Sequence, residues 1–333
     1  MGKIIEATDL TKIYGNKVKA VDHISFQVDE GEVFGFLGPN GAGKTTTIKM
    51  LNTLASITEG KASVAGYDVA KHPGKVRESI GVVPQELTAD DELSGLENMI
   101  LMARLHHVNG GEAKSKTNGL LKLVDLDGAA TRKVKTYSGG MRRRLQLVMG
   151  LIHEPKILFM DEPTLGLDIQ TRSRMWDYIK GLNRDRGLTV FMTTHYLEEA
   201  DSLCDRIAIV DKGVIKVEGA PSRLKAELGG DILTIELSDD KSDITDTLKS
   251  VEGVTDVSRS GAVYRVKLTK TEKGLPAIIA ILVQKGLEIK DINFSKPTLD
   301  QVFLAVAGKS MRDEEASASD SAWENFRMER TRD

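Results

Sequence analysis

Cysteine, excess positive charge and long apolar runs are all scarce in this sequence of 333 residues. The one cysteine, Cys204, cannot form a disulfide within the chain or support a zinc finger or iron–sulfur cluster, which need several thiolate ligands. Lys and Arg number 46 against 49 Asp and Glu, whereas nucleic-acid-binding domains usually carry a basic surplus. No apolar run approaches the ~18 residues of a membrane-spanning helix. We therefore expect a soluble, cytosolic protein that does not bind nucleic acid.

The length and the pattern of apolar residues predict about two domains, at roughly 150 residues per domain. Short apolar runs at 33–37, 157–160 and 188–192 are typical of strands buried on both faces of a sheet. Helical patterns lie between these runs, so we predict an α/β domain with a largely parallel sheet over residues 1–228. In the stretch 86–154 the apolar residues recur mostly at helical spacing, and this stretch is predicted to be an inserted helical subdomain.

The pattern changes after residue 228, where Gly229 and Gly230 indicate a linker. Between 231 and 308 the predicted elements follow the order β-α-β-β-α-β, which indicates a small α+β domain of the ferredoxin-like type. This stretch contains no His or Cys, so we interpret it as an accessory module for partner or dimer contacts. Residues 309–333 are rich in charge, Ser and Ala, and are predicted to be a disordered tail.

Residues 38–45, with the sequence GPNGAGKT, match the phosphate-loop pattern G-x-x-x-x-G-K-[ST] without a gap. The match follows a predicted buried strand and precedes a predicted helix. Its glycines allow backbone N–H groups to turn inward and cradle phosphate oxygens, and the helix directs its positive end at the same anion. Lys44 can reach the β- and γ-phosphates, and Thr45 offers a hydroxyl to Mg²⁺. The motif therefore predicts a nucleoside triphosphate site.

Two adjacent acids, Asp161 and Glu162, follow the predicted strand 157–160. Asp161 emerges at the carboxyl end of the strand, where its carboxylate can hold Mg²⁺. Because side chains alternate along a strand, Glu162 is expected to point to the other side, where it can polarise an attacking water as general base. Together with the phosphate loop, these acids predict a site that hydrolyses its nucleotide.

Further motifs resemble those of the ABC-transporter ATPases. Residues 137–142, Tyr-Ser-Gly-Gly-Met-Arg, are similar to the signature loop of that family, with Tyr137 in place of Leu and Met141 in place of Gln. Gln85 resembles the Q-loop, residues 167–168 resemble the D-loop, and His195 resembles the switch histidine. The resemblance covers about residues 3–228, and its motifs follow the family order: Tyr14, Lys44, Gln85, Ser138, Asp161, Glu162, Asp168 and His195.

The resemblance implies a fold and a set of site residues. The fold would be a P-loop NTPase cassette, with a RecA-like core, antiparallel N-terminal strands and the inserted helical subdomain. The catalytic residues would be Lys44, Glu162 and His195, and the Mg²⁺ ligands would be Thr45, Gln85 and Asp161. The ATP-binding residues would be Tyr14, Gly38, Pro39, Asn40, Gly41, Ala42, Gly43, Lys44, Thr45, Thr46, Gln85, Ser138, Gly139, Gly140 and Asp168. Two copies would sandwich ATP head to tail, with Lys44 of one copy facing Ser138 of the other.

The end of the second predicted domain resembles one group within the ABC-transporter ATPases. Residues 296–304, KPTLDQVFL, resemble the end of ATPase subunits of the daunorubicin-resistance type, which belong to ABC-2 exporters. This implies an ATP-hydrolysing subunit that powers export of a drug-like or other small amphipathic compound. The permease would be a separate chain, and the present chain would lie peripherally on the cytoplasmic face of the cell membrane.

Two other functions remain open from the sequence. A soluble ABC-type ATPase acting on nucleic acid or ribosomes usually carries two cassettes or long coiled-coil inserts, whereas this chain has one phosphate loop and no sustained heptads. An importer ATPase would use residues 231–308 as a regulatory domain. The basic run 142–144 is expected either to face phosphates and make subdomain contacts or to be a solvated helix face.

Overall fold

The computed structural model describes residues 2–15, 18–228, 230–238, 243–269 and 271–308. The predicted tail, 309–333, lies outside the described residues. The chain divides into two compact units between Ala220 and Pro221, eight residues before the boundary at 228 that the sequence pattern predicts.

The first unit has two sheets and a set of helices. Its strands are β1 Lys3–Tyr14, β2 Val18–Asp29, β3 Val33–Leu37, β4 Glu59–Val64, β5 Tyr67–Asp68, β6 Ile80–Val83, β7 Ile157–Asp161, β8 Thr189–Thr194, β9 Arg206–Asp211 and β10 Val214–Gly219. Its helices are α1 Lys44–Leu51, α2 Pro73–Ser79, α3 Gly95–Leu105, α4 Gly110–Leu123, α5 Gly139–Met149, α6 Ile169–Arg186 and α7 Leu197–Leu203. Short 3₁₀ turns occur at Asp127–Ala129 and Val134–Thr136.

The central sheet has the strand order β10-β9-β3-β8-β7-β6. Strands β9, β3, β8, β7 and β6 pair in parallel, and β10 pairs antiparallel with β9. Every residue of β3, β7 and β8 is buried, as expected for strands covered on both faces. The rings of Phe34, Phe36, Phe159 and Phe191 pack against one another in the core, with centroid separations of 5.2–6.0 Å. The predicted parallel α/β core is therefore confirmed.

The N-terminal strands form an antiparallel sheet in the order β2-β1-β4-β5, as the resemblance implied. The register shifts within β1, including between Ala7 and Leu10. Asp9 and His23 have φ of 49° at these irregularities. Each residue in the left-handed region disturbs the alternation of side chains that defines a strand in sequence.

The helical block lies where it was predicted, as α3, α4 and α5. Helix α3 begins with a capping box in which Ser94 accepts from the Glu97 backbone N–H and Glu97 accepts from the Ser94 backbone N–H, the arrangement that satisfies free N-terminal donors. Helix α5 begins at the predicted signature loop, with Ser138 as its N-cap. This helix therefore starts at one predicted motif and continues into the interior of the first unit.

The second unit contains helix α8 Pro221–Glu227 and then the predicted β-α-β-β-α-β order. Its elements are β11 Asp231–Leu237, α9 Thr245–Lys249, β12 Val254–Ser260, β13 Val263–Leu268, α10 Thr271–Gln284, β14 Ile289–Ser295 and α11 Leu299–Ala307. The sheet order is β12-β13-β11-β14, antiparallel throughout. Its core includes Leu233, Ile235, Tyr264, Ile278 and Leu282. Helix α8 belongs to this unit because it packs against α11.

No helix within the described ranges combines the length and the apolar character that a bilayer span requires.

Candidate active site

The phosphate loop connects β3 to α1 at the carboxyl end of the central sheet. Gly43 has φ of 100°, a conformation that side chains rarely adopt. A Cβ atom there would also lie 2.4 Å from the carbonyl oxygen of Ala20 on β2. The glycine therefore allows the loop to turn tightly into α1 while β2 passes directly behind it.

The loop encloses most of a cavity of about 350 Å³. The residues that line the cavity are Ala20, Pro39, Asn40, Gly41, Ala42, Gly43, Lys44, Thr45, Thr46, Gln85 and Glu162. Gln85 follows β6 and Glu162 follows β7, so strand ends that are distant in sequence meet at one place. Ala20 was not predicted, because a small residue in an amphipathic strand carries no chemical signal of its own.

Lys44 is almost completely buried, with 4% of its surface exposed. Its Nζ donates to the carbonyl oxygens of Gly38 at 2.7 Å and Pro39 at 3.0 Å. Nζ also lies 3.4 Å from Oε1 of Glu162. The ammonium group is thus held inside the loop, next to the space that the backbone amides surround.

Glu162 contacts both Lys44 and His195. Its Oε1 lies 3.2 Å from Nδ1 of His195, and its backbone N–H donates to Thr193 on β8. Burial alone would raise the pKa of Glu162, but His195 and Lys44 together hold the pKa below its usual value. The carboxylate is therefore ionised and oriented at the edge of the cavity.

The strand alternation from which the direction of Glu162 was expected does not extend to this residue. Glu162 has φ of 49°, so the strand geometry ends before it and the alternation of side chains does not apply. Asp161 accepts a hydrogen bond from Thr45 at 3.1 Å, and Glu162 approaches Lys44. Both acids therefore contact the phosphate loop. A non-glycine residue with such a φ is strained and needs support from its surroundings.

The pair Thr45 and Asp161 suits a hard divalent cation. Oδ1 of Asp161 accepts from Oγ1 of Thr45 at 3.1 Å and from Oγ1 of Thr193 at 2.5 Å, and Gln85 lines the adjoining cavity. Among the described residues, no group of three or more His, Cys, Asp or Glu side chains is placed to hold a metal. A site with few protein oxygens, completed by substrate phosphates and water, is typical of Mg²⁺.

Comparison with known proteins places this site in a family. Residues 21–165 match the family model described as ABC transporter, and residues 219–307 match that of the C-terminal domain of DrrA1-3-like ATP-binding proteins. The chain is 41% identical to the daunorubicin resistance ATP-binding protein DrrA3 of Streptomyces coeruleorubidus, over 92% of this chain and 96% of that protein. The chain belongs to the ABC transporter ATP-binding proteins. It is an ATPase subunit whose family couples ATP hydrolysis to transport.

Two further similarities support this assignment. The linearmycin resistance ATP-binding protein LnrL of Bacillus subtilis is 36% identical, over 93% of this chain and all of that protein. A solved dimeric ATP-binding cassette in a post-hydrolysis state, bound to ADP and phosphate, is 27% identical. It matches 65% of this chain and 98% of its own with a TM-score of 0.60.

The signature loop of this ABC ATP-binding subunit does not line the cavity. Ser138 and Gly139 are exposed, and Oγ of Ser138 accepts from the Met141 backbone N–H at 3.3 Å. A Cβ atom on Gly140 would lie 2.5 Å from Cγ2 of Thr171. The signature loop is thus packed closely on the N-terminus of α6 within the same chain.

Asp168, in the D-loop, is the N-cap of α6. It accepts from the backbone N–H of Thr171 at 2.9 Å and from the hydroxyl of Thr171 at 2.7 Å. These hydrogen bonds, together with others from the helix N-terminus, lower its pKa. Since Thr171 also contacts Gly140, the D-loop and the signature loop form one surface, separate from the cavity that holds Lys44.

The two aromatic residues of the family motifs differ in their surroundings. Tyr14 is 43% exposed, lies outside the cavity lining and has Nζ of Lys12 5.0 Å from its ring centroid. Tyr137 is buried, and its hydroxyl donates to the carbonyl oxygen of Ala129 at 2.8 Å. The tyrosine that replaces leucine in the signature loop therefore adds a hydrogen bond that ties the loop to the preceding 3₁₀ turn.

Proposed function

We propose that this subunit powers the export of a drug-like or other small amphipathic compound through an ABC-2 permease on a separate chain. The observation that carries the proposal is the match of both units, since residues 219–307 match the C-terminal domain of DrrA1-3-like ATP-binding proteins. Relatives named for daunorubicin and linearmycin resistance align over more than nine tenths of the chain. The chain would then lie peripherally on the cytoplasmic face of the membrane.

The proposed roles in hydrolysis follow from the charges around the cavity. The loop amides and Lys44 bind the triphosphate, and Lys44 neutralises charge as the γ-phosphoryl group is transferred. Glu162 accepts a hydrogen bond from the attacking water and orients it toward phosphorus. His195, in contact with Glu162, positions this carboxylate and contacts the γ-phosphate. The water oxygen bonds to the γ-phosphorus and passes a proton to Glu162, while the bond between that phosphorus and its bridging oxygen breaks; ADP and phosphate then leave.

Thr45, Asp161 and Gln85 would hold Mg²⁺ beside the phosphates. The cation supplies charge neutralisation and orientation of the phosphate oxygens. Thr45 and Asp161 already face each other at 3.1 Å, so the protein oxygens need little rearrangement to act on one ion.

We propose that two copies assemble head to tail, with ATP between Lys44 of one copy and Ser138 to Gly140 of the other. The exposure of Ser138 and Gly139 outside the cavity supports this arrangement, because a helix N-terminus with free amides is an anion site that its own chain does not use. Asp168 would approach the same nucleotide from the second copy, and Tyr14 would stack on adenine. The helical block near Gln85 would receive the permease, and the domain at 231–308 would contact the permease or the second copy.

The export proposal is tested by purification from detergent-solubilised membranes of the source cells. The tagged chain should copurify with a polytopic membrane protein, and inverted vesicles holding both should accumulate daunorubicin in an ATP-dependent manner. Vesicles that carry Glu162→Gln provide the control for leakage. Recovery of the chain with ribosomes or nucleic acid in the soluble fraction would instead support the soluble-ATPase alternative.

A further inference from the structure

Helix α5 carries two buried polar side chains that the proposed ATP contacts do not explain. Arg143 is 3% exposed and Gln146 is 1% exposed, and they lie one turn apart on the same face of the helix. The neighbouring Arg142 and Arg144 are only half-buried. The basic run 142–144 is therefore neither a solvated face nor a uniform stripe, because its central member enters the core.

The guanidinium group of Arg143 joins two segments that are far apart in sequence. Its Nη1 lies 2.9 Å from the carbonyl oxygens of Pro84 and Gln85, in the Q-loop. Its Nη2 donates to the carbonyl oxygen of Glu162 at 2.6 Å, and its Nε donates to that of Pro163 at 2.8 Å. A planar fork of N–H donors can satisfy several acceptors at once, which a lysine ammonium in the same place cannot do with this geometry.

Gln146 extends these contacts along the Q-loop. Its Oε1 accepts from Nη1 of Arg143 at 2.9 Å, while its Nε2 donates to the carbonyl oxygens of Pro84 at 3.1 Å and Glu86 at 2.6 Å. We call the two side chains the Arg143–Gln146 clamp. The clamp donates hydrogen bonds to consecutive carbonyls of both loops, Pro84 to Glu86 on one side and Glu162 and Pro163 on the other.

The surrounding charges favour a permanently charged group at this position. Burial lowers the pKa of Arg143, while the carboxylates of Asp161, Glu199 and Glu162 act in the opposite direction. A buried charge is tolerated when it is paired and fully hydrogen-bonded. Each of the three guanidinium nitrogens of Arg143 donates to a backbone carbonyl, and nearby acids attract the charge, so the charge can remain inside the protein.

We propose that the Arg143–Gln146 clamp is a positioning device for hydrolysis that ties the Q-loop and Glu162 to the helix that begins at the signature loop. The strained backbone of Glu162, with φ of 49°, is held on its carbonyl side by Arg143. Movement of α5 or of the Q-loop therefore displaces the peptide that carries the catalytic carboxylate. The inference rests on the role proposed above for Glu162.

The clamp predicts an effect on turnover that is separate from ATP binding. Lys44 is held by carbonyls of its own loop, which the clamp does not touch, so the affinity for ATP should be retained. The orientation of Glu162 should be lost, and a displacement of about 1 Å in a catalytic group can cost up to ~100-fold in rate. If the clamp had a purely structural role, its loss would reduce the folded fraction, and ATP binding and turnover would fall together.

The test uses the purified full chain and the variants Arg143→Gln, Arg143→Lys and Gln146→Leu. The matched control is Arg144→Gln, which removes a half-buried arginine from the same helix whose guanidinium donates to the carbonyl oxygen of Val124 instead. The measurements are ATP affinity, from a fluorescent ATP analogue, and single-turnover hydrolysis. We expect Arg143→Gln to lower turnover at least about tenfold with affinity changed less than about threefold, and Arg143→Lys to lie between it and the wild type.

The variant Glu162→Gln, measured in the same series, separates this inference from the proposed function. If Glu162→Gln hydrolyses ATP at the wild-type rate, the proposed role of Glu162 fails. If Glu162→Gln is inactive while folded Arg143→Gln and Gln146→Leu turn over like Arg144→Gln, only the clamp is refuted. If Arg143→Gln does not fold, Arg143→Lys decides, since it keeps the positive charge but not the fork of donors that joins the Q-loop to Glu162. Turnover of folded Arg143→Lys equal to that of Arg144→Gln then overturns the inference.

Discussion

The phosphate-loop side and the signature side of this ATPase carry their functional groups in opposite ways. On the phosphate-loop side, Lys44 and Glu162 are at most 6% exposed and meet in a cavity within one chain. On the signature side, Ser138 and Gly139 are exposed, and neither residue lines the cavity. Buried charges need partners inside the fold, whereas the exposed amides of a helix N-terminus can bind an anion from another molecule. The residues of the first side therefore meet within one chain, whereas the second side is the surface on which we propose that a second copy binds.

The largest expected effect concerns the phosphate-loop side. Glu162→Gln removes the negative charge between Lys44 and His195, and with it the group that orients water. Because general-base catalysis contributes about 10²–10⁴-fold, hydrolysis should fall by at least ~100-fold, measured as phosphate release at saturating ATP. Glu198→Gln, an exposed neighbour of the buried Glu199, should keep the wild-type rate. Undiminished hydrolysis by Glu162→Gln would mean that the cavity is not where the chemistry occurs.

The signature side is tested by Gly139→Asp in a Glu162→Gln background. A Cβ atom at Gly139 meets nothing within 4 Å, so the fold of one copy should not change. A carboxylate there would face the phosphates of ATP bound to the other copy, and like charges at an interface cost several kcal/mol. ATP-dependent dimerisation, measured by light scattering, should weaken by about 100-fold or more while each copy still binds ATP. Dimers that form equally well with Gly139→Asp would rule out the sandwich.

The neighbouring glycine provides the contrast, since Gly140 has no free space. Its added Cβ would lie 2.5 Å from Cγ2 of Thr171, so Gly140→Ala should destabilise the chain by about 1–3 kcal/mol through overpacking. Thr171→Ser removes that methyl group and keeps the hydroxyl that donates to Asp168. The double variant should recover most of the free energy of unfolding in urea titrations. Equal stability of Gly140→Ala and Gly140→Ala/Thr171→Ser would show that the contact is not the cause.

The smallest expected effect concerns the pH dependence of the free energy of unfolding. The rings of His106 and His153 stack at 3.8 Å between centroids and join the end of α3 to the segment after α5. Burial lowers the pKa of both, so the folded state favours the neutral rings. Their stabilising contribution is full above the unfolded pKa of ~6.5 and is lost as the pH falls below it. The lowered pKa of Glu162 acts in the same direction, but only below its unfolded pKa of ~4.5.

Between pH 7.5 and 5.5 the histidine pair should therefore contribute more than Glu162 to the pH dependence of the free energy of unfolding. The wild type should lose free energy of unfolding over this range, and His106→Gln should lose about 0.5–1 kcal/mol less, in the lower range of single-substitution effects. His72→Gln, at an exposed histidine, is the control. The same pH dependence in all three proteins would exclude the stacked pair as its source.

Local patterns predicted those parts of the fold whose burial is uniform. Strands β3, β7 and β8 are buried throughout, so their apolar runs were sufficient evidence. Strand β4 has an exposed first half and lacks the alternation that predicts a strand. In β1 the alternation is interrupted at Asp9, which has a positive φ. The assignment of α8 to the second unit also depends on its packing against α11, a contact that no local pattern contains.

The structure brings some of the predicted site residues together and leaves others apart. Residues 39–46, Gln85 and Glu162 line one cavity, as their motifs indicated, but Ala20 and the left-handed backbone of Glu162 were not foreseen. Arg143 was one member of an ambiguous basic run, and only its burial separates it from its neighbours. A helix position faces the core or the solvent according to what packs beside it, and the residue type alone does not decide this.

By itself the sequence determined the phosphate loop, the order of the motifs and the parallel core, because glycine spacing and buried apolar runs act over a few neighbouring residues. Only the tertiary structure decided that Asp161 and Glu162 both face the loop, that the signature residues lie outside the cavity, and that Arg143 joins the Q-loop to Glu162. These features arise where segments distant in the chain share one interior, and there the need to pair every buried charge and carbonyl selects the arrangement.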